Sequence, residues 1–209
     1  MSLTFKTPGI ILKAKDYKET DRLYTIYTKD FGKQILRAQA VKKVNSKLAG
    51  HLEPLSQSQL FIAEARGLKK IAGAQTMQNY QHIKQDLVKL NEVLYCLDVF
   101  DALIAEHEKD QELYKLLENF LQWSEDNKIN LLTIKSFILK LLQILGYQPI
   151  IIKYPKNLAK ILLFLLHESW HNIQKLRLTA EIWQKIDAII NDSLKIHLSR
   201  DLQTEKFLV

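Results

Sequence analysis

Gly9 to Leu52 reads GIILKAKDYKETDRLYTIYTKDFGKQILRAQAVKKVNSKLAGHL. Two runs rich in β-branched and aromatic residues flank a tight turn at Asp30-Phe31-Gly32-Lys33, the grammar of a hairpin. A third run, Gln34 to Val41, ends in a loop that carries Lys42, Lys43 and Lys47. In the first run Ile10, Leu12 and Ala14 alternate with Ile11, Lys13 and Lys15, as one dry and one wet face require. Arg22 to Lys29 alternates too, with apolar or aromatic groups on both faces, so its parity stays open. Strand, turn, strand and basic loop predict a small barrel with positive charge on one side.

The pattern extends outward from there. Pro54 is placed to open a fourth strand, Leu55 to Ala65, since proline is tolerated at a strand start. Arg66-Gly67 makes a turn, and Leu68 to Met77 reads as the fifth strand. Five short strands joined by turns predict a closed barrel of the oligonucleotide-binding kind over residues 1–80. The grammar changes near Tyr80. Ile83, Leu87, Leu90, Leu94, Leu97 and Ile104 recur at helical steps, predicting one long helix interrupted in pattern at Asp101. Asp110, Asn130 and Thr179 read as N-caps of later helices, Gly146 as a helix stop followed by Pro149, and Pro155 as the start of a helix from about Leu158 to Ile173. Asp192 is placed to begin a short last helix. The expected fold class is α+β, a five-stranded barrel over 1–80 followed by an all-α helical domain over 81–209. With no linker evident, the two are expected to pack together.

The chain has 209 residues and a formal net charge of +7. Residues 1–80 carry 14 Lys and Arg against 6 Asp and Glu, an excess of +8, while the remaining 129 balance to −1. Such asymmetry speaks of partners rather than fold, and points to a polyanion, nucleic acid ahead of an anionic membrane. The single cysteine, Cys96, stands in an apolar context and reads as a buried, inert thiol. The N-terminus lacks the apolar core of a signal peptide, and the longest apolar run, Ile161 to Leu166, is far too short to span a bilayer. A cytoplasmic protein is expected.

At this point the order and spacing of several segments resemble those of the bacterial RecO family of DNA repair and recombination mediators. The resemblance lies in Gly9-Ile10-Ile11-Leu12, Asp16-Tyr17-Lys18-Glu19-Thr20-Asp21-Arg22, Tyr27-Thr28, Phe31-Gly32-Lys33, Ser46-Lys47-Leu48 and Leu52-Glu53-Pro54-Leu55. It continues through Gly67-Leu68, the helix from Asp86, Leu141-Leu142 and Gly146-Tyr147-Gln148-Pro149, covering residues 8–150 well and the tail weakly. It implies an oligonucleotide-binding barrel that binds single- and double-stranded DNA and anneals complementary strands. It also implies a RecR-like partner, recruitment through the tail of single-strand-binding protein, indirect action on RecA, and a nucleoid-associated place in a bacterial cell. Two departures stand out. Gln39-Ala40 occupy the place of a frequent Arg-Gly, and alanine does not enter positive-φ space as glycine does. The four cysteines of the family's zinc site are missing from this chain, which excludes a Cys₄ zinc; no cofactor is expected.

The candidate DNA-binding group is Lys33, Arg37, Lys42, Lys43 and Lys47 with Lys29, joined by Lys13 and Lys15 from a neighbouring strand. Lysines on a loop grip phosphates without reading sequence. Among Tyr17, Tyr24, Tyr27 and Phe31 one or two rings are expected to stack bases, with Tyr24 and Tyr27 the candidates, while most serve the core. His167-Glu168-Ser169-Trp170-His171 matches H-E-x-x-H on a predicted helix, a zinc-hydrolase signature when both histidines share a face. Here no flanking pattern supports it, and two helix-borne histidines beside a packed Trp170 are the simpler expectation. No phosphate-loop motif is present, and Asp16, Glu19 and Asp21 read as solvated turn carboxylates. The expectation is a non-enzymatic mediator; the alternatives are a protein-interaction scaffold whose DNA contact is secondary, and a zinc hydrolase. An apolar pocket rimmed by basic groups in the helical part, suited to an acidic, hydrophobic peptide, is expected without a position.

Overall fold

The structure is a computed structural model describing residues 4–64, 69–198 and 202. Five strands form a closed barrel in the order β1-β2-β3-β5-β4: β1 Thr4–Tyr17, β2 Asp21–Thr28, β3 Gly32–Ala38, β4 Gln57–Ala63 and β5 Lys70–Gln78. β1 is long enough to serve two partners. Its first half pairs with β4 (Thr4↔Ala63 to Ile10↔Gln57) and its second half with β2 (Gly9↔Thr28 to Tyr17↔Asp21). The barrel closes at the parallel contact Arg37↔Lys70, where the Arg37 N–H donates to Lys69 O at 3.0 Å.

The alternation expected in β1 is broken. Register slips between Ile11 and Lys13, so Leu12 is a bulge, and Ile10, Ile11 and Leu12 are all buried. A bulge inserts one residue and reverses which parity faces inward. Lys6 before it and Lys13 and Lys15 after it are therefore all exposed, although six and thirteen differ in parity. The interior is filled by Ile11, Tyr24, Ile26, Leu36, Ala38, Leu60, Ile62 and Ile71, with Val41 and Leu52 from the β3–β4 connection. β4 starts at Gln57 rather than Leu55, because Leu55 turns the chain at φ 56. β5 starts at Lys70; the expected Arg66-Gly67 turn lies outside the described residues.

Seven α-helices follow among the described residues: α1 Gln81–Gln85, α2 Leu87–Leu103, α3 Gln111–Asp126, α4 Leu131–Ile144, α5 Lys156–His167, α6 Trp170–Lys175 and α7 Ala180–His197. Asp110, Asn130 and Thr179 cap as expected: Asp110 Oδ1 accepts from the N–H of Glu112 at 2.6 Å, Asn130 Oδ1 from Thr133 at 3.0 Å, and Thr179 Oγ1 from Ile182 at 3.4 Å. Gly146 ends α4 at φ 76, with Gly146 N–H bonded to Gln143 O and Tyr147 N–H to Leu142 O, the paired bonds of a Schellman stop. Three expectations fail. The first long helix is interrupted at Asp86, whose carboxylate caps α2 through the N–H groups of Val88 and Lys89. The helix expected from Leu158 to Ile173 breaks at Glu168. α7 runs through Asp192 to His197 without a new start.

The chain forms two compact units. One holds the barrel, through Gln81, together with Ile104–Tyr114; the other holds His82–Leu103 and the chain from Lys115 onward. In the barrel unit the returning segment is tied down by polar contacts. Tyr27 Oη donates to Asp110 O and accepts from its N–H, both at 3.2 Å; Gln57 Nε2 donates to Tyr114 Oη at 3.0 Å; Lys33 O accepts from His107 N–H at 2.8 Å. In the helical unit α4 is central, packing against α2, α5, α6 and α7. Thr133 to Leu139 are all buried on it, as expected of a helix surrounded on every side. Its one buried cation, Lys135, is neutralised by Asp187 Oδ1 at 2.6 Å and accepted by Asn191 Oδ1 at 2.6 Å.

Candidate nucleic-acid interface

The cationic loop after β3 is anchored at both ends by apolar side chains: Val41 is 3% and Leu52 1% exposed, with Leu48 packed between them. Between the anchors Lys42 to Asn45 and Lys47 are exposed. Asp21 bolts the loop to the start of β2. Its carboxylate accepts from Ala40 N–H at 2.8 Å, from Arg37 Nε at 2.7 Å and Nη2 at 2.5 Å, and from Thr20 Oγ1 at 3.2 Å. The Ala40 amide and then the Arg37 guanidinium hold the Asp21 carboxyl below the usual carboxylate range. Asp21 is 5% exposed, so the expectation of a solvated carboxylate is corrected: it is a buried, four-bonded fastening. Ala40 itself sits at φ 53. Alanine therefore occupies left-handed space that favours glycine, and strain is stored there.

The expected basic group divides three ways. Arg37 is occupied by Asp21, and Lys42 pairs with Asp16 Oδ2 at 2.8 Å, while Arg22 holds the other oxygen of Asp16 at 2.8 Å. Lys42 and then Arg22 keep the Asp16 carboxyl below its ordinary range. Lys33 lies at the opposite end of β3 from the loop, and its Nζ donates to Ile104 O at 2.8 Å. That bond ties the hairpin to the returning segment, and the structure does not bring Lys33 to the loop. Lys29, beside Lys33 in the hairpin turn, is likewise away from the loop. Lys15, Lys43 and Lys47 are exposed and, among the described residues, none pairs with a carboxylate; Lys13 is exposed beside Lys15 on β1.

The aromatic assignment is also corrected. Tyr24 is 2% and Tyr27 0% exposed; the first fills the barrel interior and the second stacks on Tyr114 at 6.4 Å between centroids. Burial pushes the Tyr27 phenol up to about 12. Neither ring can stack a base. Tyr17 is half-buried at the cationic end, with Lys18 Nζ 5.6 Å and the Arg37 guanidinium 5.7 Å from its ring. It is the aromatic group that the basic end presents.

The H-E-x-x-H match does not form a metal site. His167 ends α5, Glu168 is extended at φ −77 and ψ 159, and Ser169 caps α6, so His167 and His171 lie on different helices. Glu168 serves as a joint: its carbonyl accepts from Lys140 Nζ at 2.8 Å and its carboxylate from Asn172 Nδ2 at 2.7 Å. Trp170 packs on Phe120 and Trp123, with Lys140 Nζ 4.9 Å from its ring. Among the described residues no group of three or more His, Cys, Asp or Glu is placed to hold a metal. Cys96 is buried, as expected, and burial raises its thiol well above the ordinary value. No helix among the described residues is long and apolar enough to cross a membrane.

A closed five-stranded barrel bearing a pinned lysine loop, joined to a helical unit, defines a protein of the oligonucleotide-binding-barrel class. Residues 1–80 match the family description "Recombination protein O N terminal" and residues 84–153 "Recombination protein O C terminal". The chain belongs to the RecO family of DNA repair and recombination proteins. It is similar to proteins named DNA repair protein RecO from Desulforamulus reducens (22% identical, 98% of this chain and 93% of that one), Oceanobacillus iheyensis (30%, 70% and 57%) and Nostoc sp. (36%, 60% and 43%).

Proposed function

We propose that this chain is a non-enzymatic recombination mediator. Its barrel module (1–80) binds and anneals DNA through the phosphate backbone, and its helical module (81–209) recruits protein partners. The observation that carries the reading is the loop at Lys43 and Lys47. It is rigidly anchored at Val41, Leu52 and Asp21, yet its ammonium groups have no carboxylate partner among the described residues. Such a surface holds two complementary strands without sequence preference, which annealing requires. The partners in this reading are single- and double-stranded DNA, a RecR-like protein, the tail of single-strand-binding protein, and RecA indirectly. For the acidic, hydrophobic tail peptide we favour the apolar hollow of about 390 Å³ in the helical unit, bordered by Leu131, Leu132, Leu176, Arg177, Leu178 and Trp183. The second reading, a protein scaffold with secondary DNA contact, draws on the internal pairing of Lys33, Arg37 and Lys42, which narrows the cationic surface.

A salt titration separates the two. If about five lysines meet a single strand, log affinity falls against log salt with a slope near −3.5. Joint Lys43→Glu and Lys47→Glu changes are expected to weaken single- and double-stranded oligonucleotides alike and to flatten the slope by at least about 1.4, with partner binding intact. Wild-type protein that ignores oligonucleotides at low ionic strength would sink the DNA-binding reading. A variant that binds as well as the wild type would sink the assignment to this loop.

A further inference from the structure

Phe61 sits in the middle of β4, opposite Lys6 of β1 on one side and Gly73 of β5 on the other. Its neighbours Leu60 and Ile62 point into the barrel interior, so Phe61 points out, and it is 37% exposed. Among the described residues of the barrel unit it is the one Phe, Tyr or Trp left exposed. The ring lies over the bare backbone of Gly73, where a Cβ would come within 3.3 Å of Phe61 Cδ2. Lys6 Nζ stands 5.8 Å from the ring centroid. Lys70 is level with Ala63, two positions further along β4 on the same outer face. The other positions in register around the ring, Thr4, Gln59 and Gln75 among them, carry no charge.

We propose that Phe61 and Lys6 form a nucleobase-stacking site for single-stranded nucleic acid on the β1–β4–β5 face, separate from the lysine loop. This rests on the nucleic-acid reading above and adds strand selectivity to it. A lone ring between ammonium groups is too small to be a protein-docking patch, which needs several hundred Å² of contiguous apolar surface. It matches one unpaired base with the phosphates on either side. The glycine floor holds the ring flat before any ligand arrives, so little freedom is lost on stacking. An exposed lysine–ring contact is weaker than base stacking, so an incoming base displaces the Lys6 ammonium, which turns to the adjacent phosphate. Duplex DNA, with its bases already stacked, offers this site nothing but charge.

The test uses the whole chain, a fluorescein-labelled dT oligomer, an abasic oligomer of equal length and a duplex, read by fluorescence anisotropy at low salt. Phe61→Ala is expected to weaken dT binding by roughly 5- to 150-fold while leaving duplex and abasic binding unchanged, and Phe61→Tyr is expected to restore it. Lys6→Ala weakens all three ligands modestly. Unchanged dT binding by Phe61→Ala overturns the site while the loop reading stands. Equal losses on dT and duplex, or loss of a protein partner alone, assign Phe61 to the fold or to a protein interface and overturn it as well. If the wild type binds no strand at all, both readings fall together.

Discussion

Ala40 occupies left-handed backbone space at φ 53, held there because its N–H donates to Asp21 Oδ1 at 2.8 Å. A side chain with a Cβ costs about 1–2 kcal/mol in that region, while the added freedom of glycine favours the unfolded chain by about 0.4–1 kcal/mol. Ala40→Gly is therefore expected to raise stability by about 0.5–1 kcal/mol, or roughly 1–4 °C in Tm for a chain of this size, measurable by thermal circular dichroism. A fall in Tm would mean that the strain is not there. The bolt that imposes it responds to acid. The Asp21 carboxyl is held below its ordinary value of 3.8 by Ala40 and Arg37, so the unfolded chain takes up the proton first. The stability this contributes is complete above that ordinary value and is lost as pH falls through the lower folded one. In urea titrations the gap between wild type and Asp21→Asn should be widest near neutrality and shrink toward about pH 2; a gap that stays constant would refute the role. The family resemblance carried part of this: it marked position 40 as a departure from glycine. It had no means to show that Asp21, nineteen residues earlier, is buried against it.

Elements were legible where their signals are local. Asp110, Asn130 and Thr179 cap helices because a short polar side chain answers amide groups two or three residues on, which sequence reading sees directly. Interruptions were less legible. The break at Glu168 rests on Ser169 starting a new helix inside an apolar pattern that the two helices share in tertiary space. The Leu12 bulge left no mark in a run where every residue is apolar, since parity cannot be read from a uniform stretch. The return of Ile104–Tyr114 to the barrel unit hangs on a glycine. Gly32 sits at φ 64, and a Cβ there would fall 2.1 Å from Glu108 O and 2.4 Å from its carbonyl carbon. Gly32→Ala is thus expected to cost about 2–4 kcal/mol, from backbone strain plus a clash with main chain that has no rotamer to yield. Denaturant unfolding should show that loss together with fluorescence changes from Tyr27 and Tyr114; a cost below about 1 kcal/mol would mean that the segment shifts freely aside.

Across the whole chain, the excess of +8 in residues 1–80 set the expectation of a polyanion partner, and the salt slope belongs to this scale because it counts contacts rather than naming them. The sequence by itself determined the five-strand barrel followed by helices, the caps, the inert cysteine, the lack of a Cys₄ zinc site and the family. The family follows from the order and spacing of short motifs along the chain; the rest follow from periodicity, local hydrogen bonding and composition, which act over a few residues. Tertiary structure alone decided which cations remain available and which rings face water. Lys33, Arg37 and Lys42 found partners brought near by folding, Tyr24 and Tyr27 went inside, and Phe61 stayed out over Gly73. The reason is that pairing and burial depend on groups distant in the chain, and a barrel with one shared, bulged strand sorts identical residue types to opposite fates.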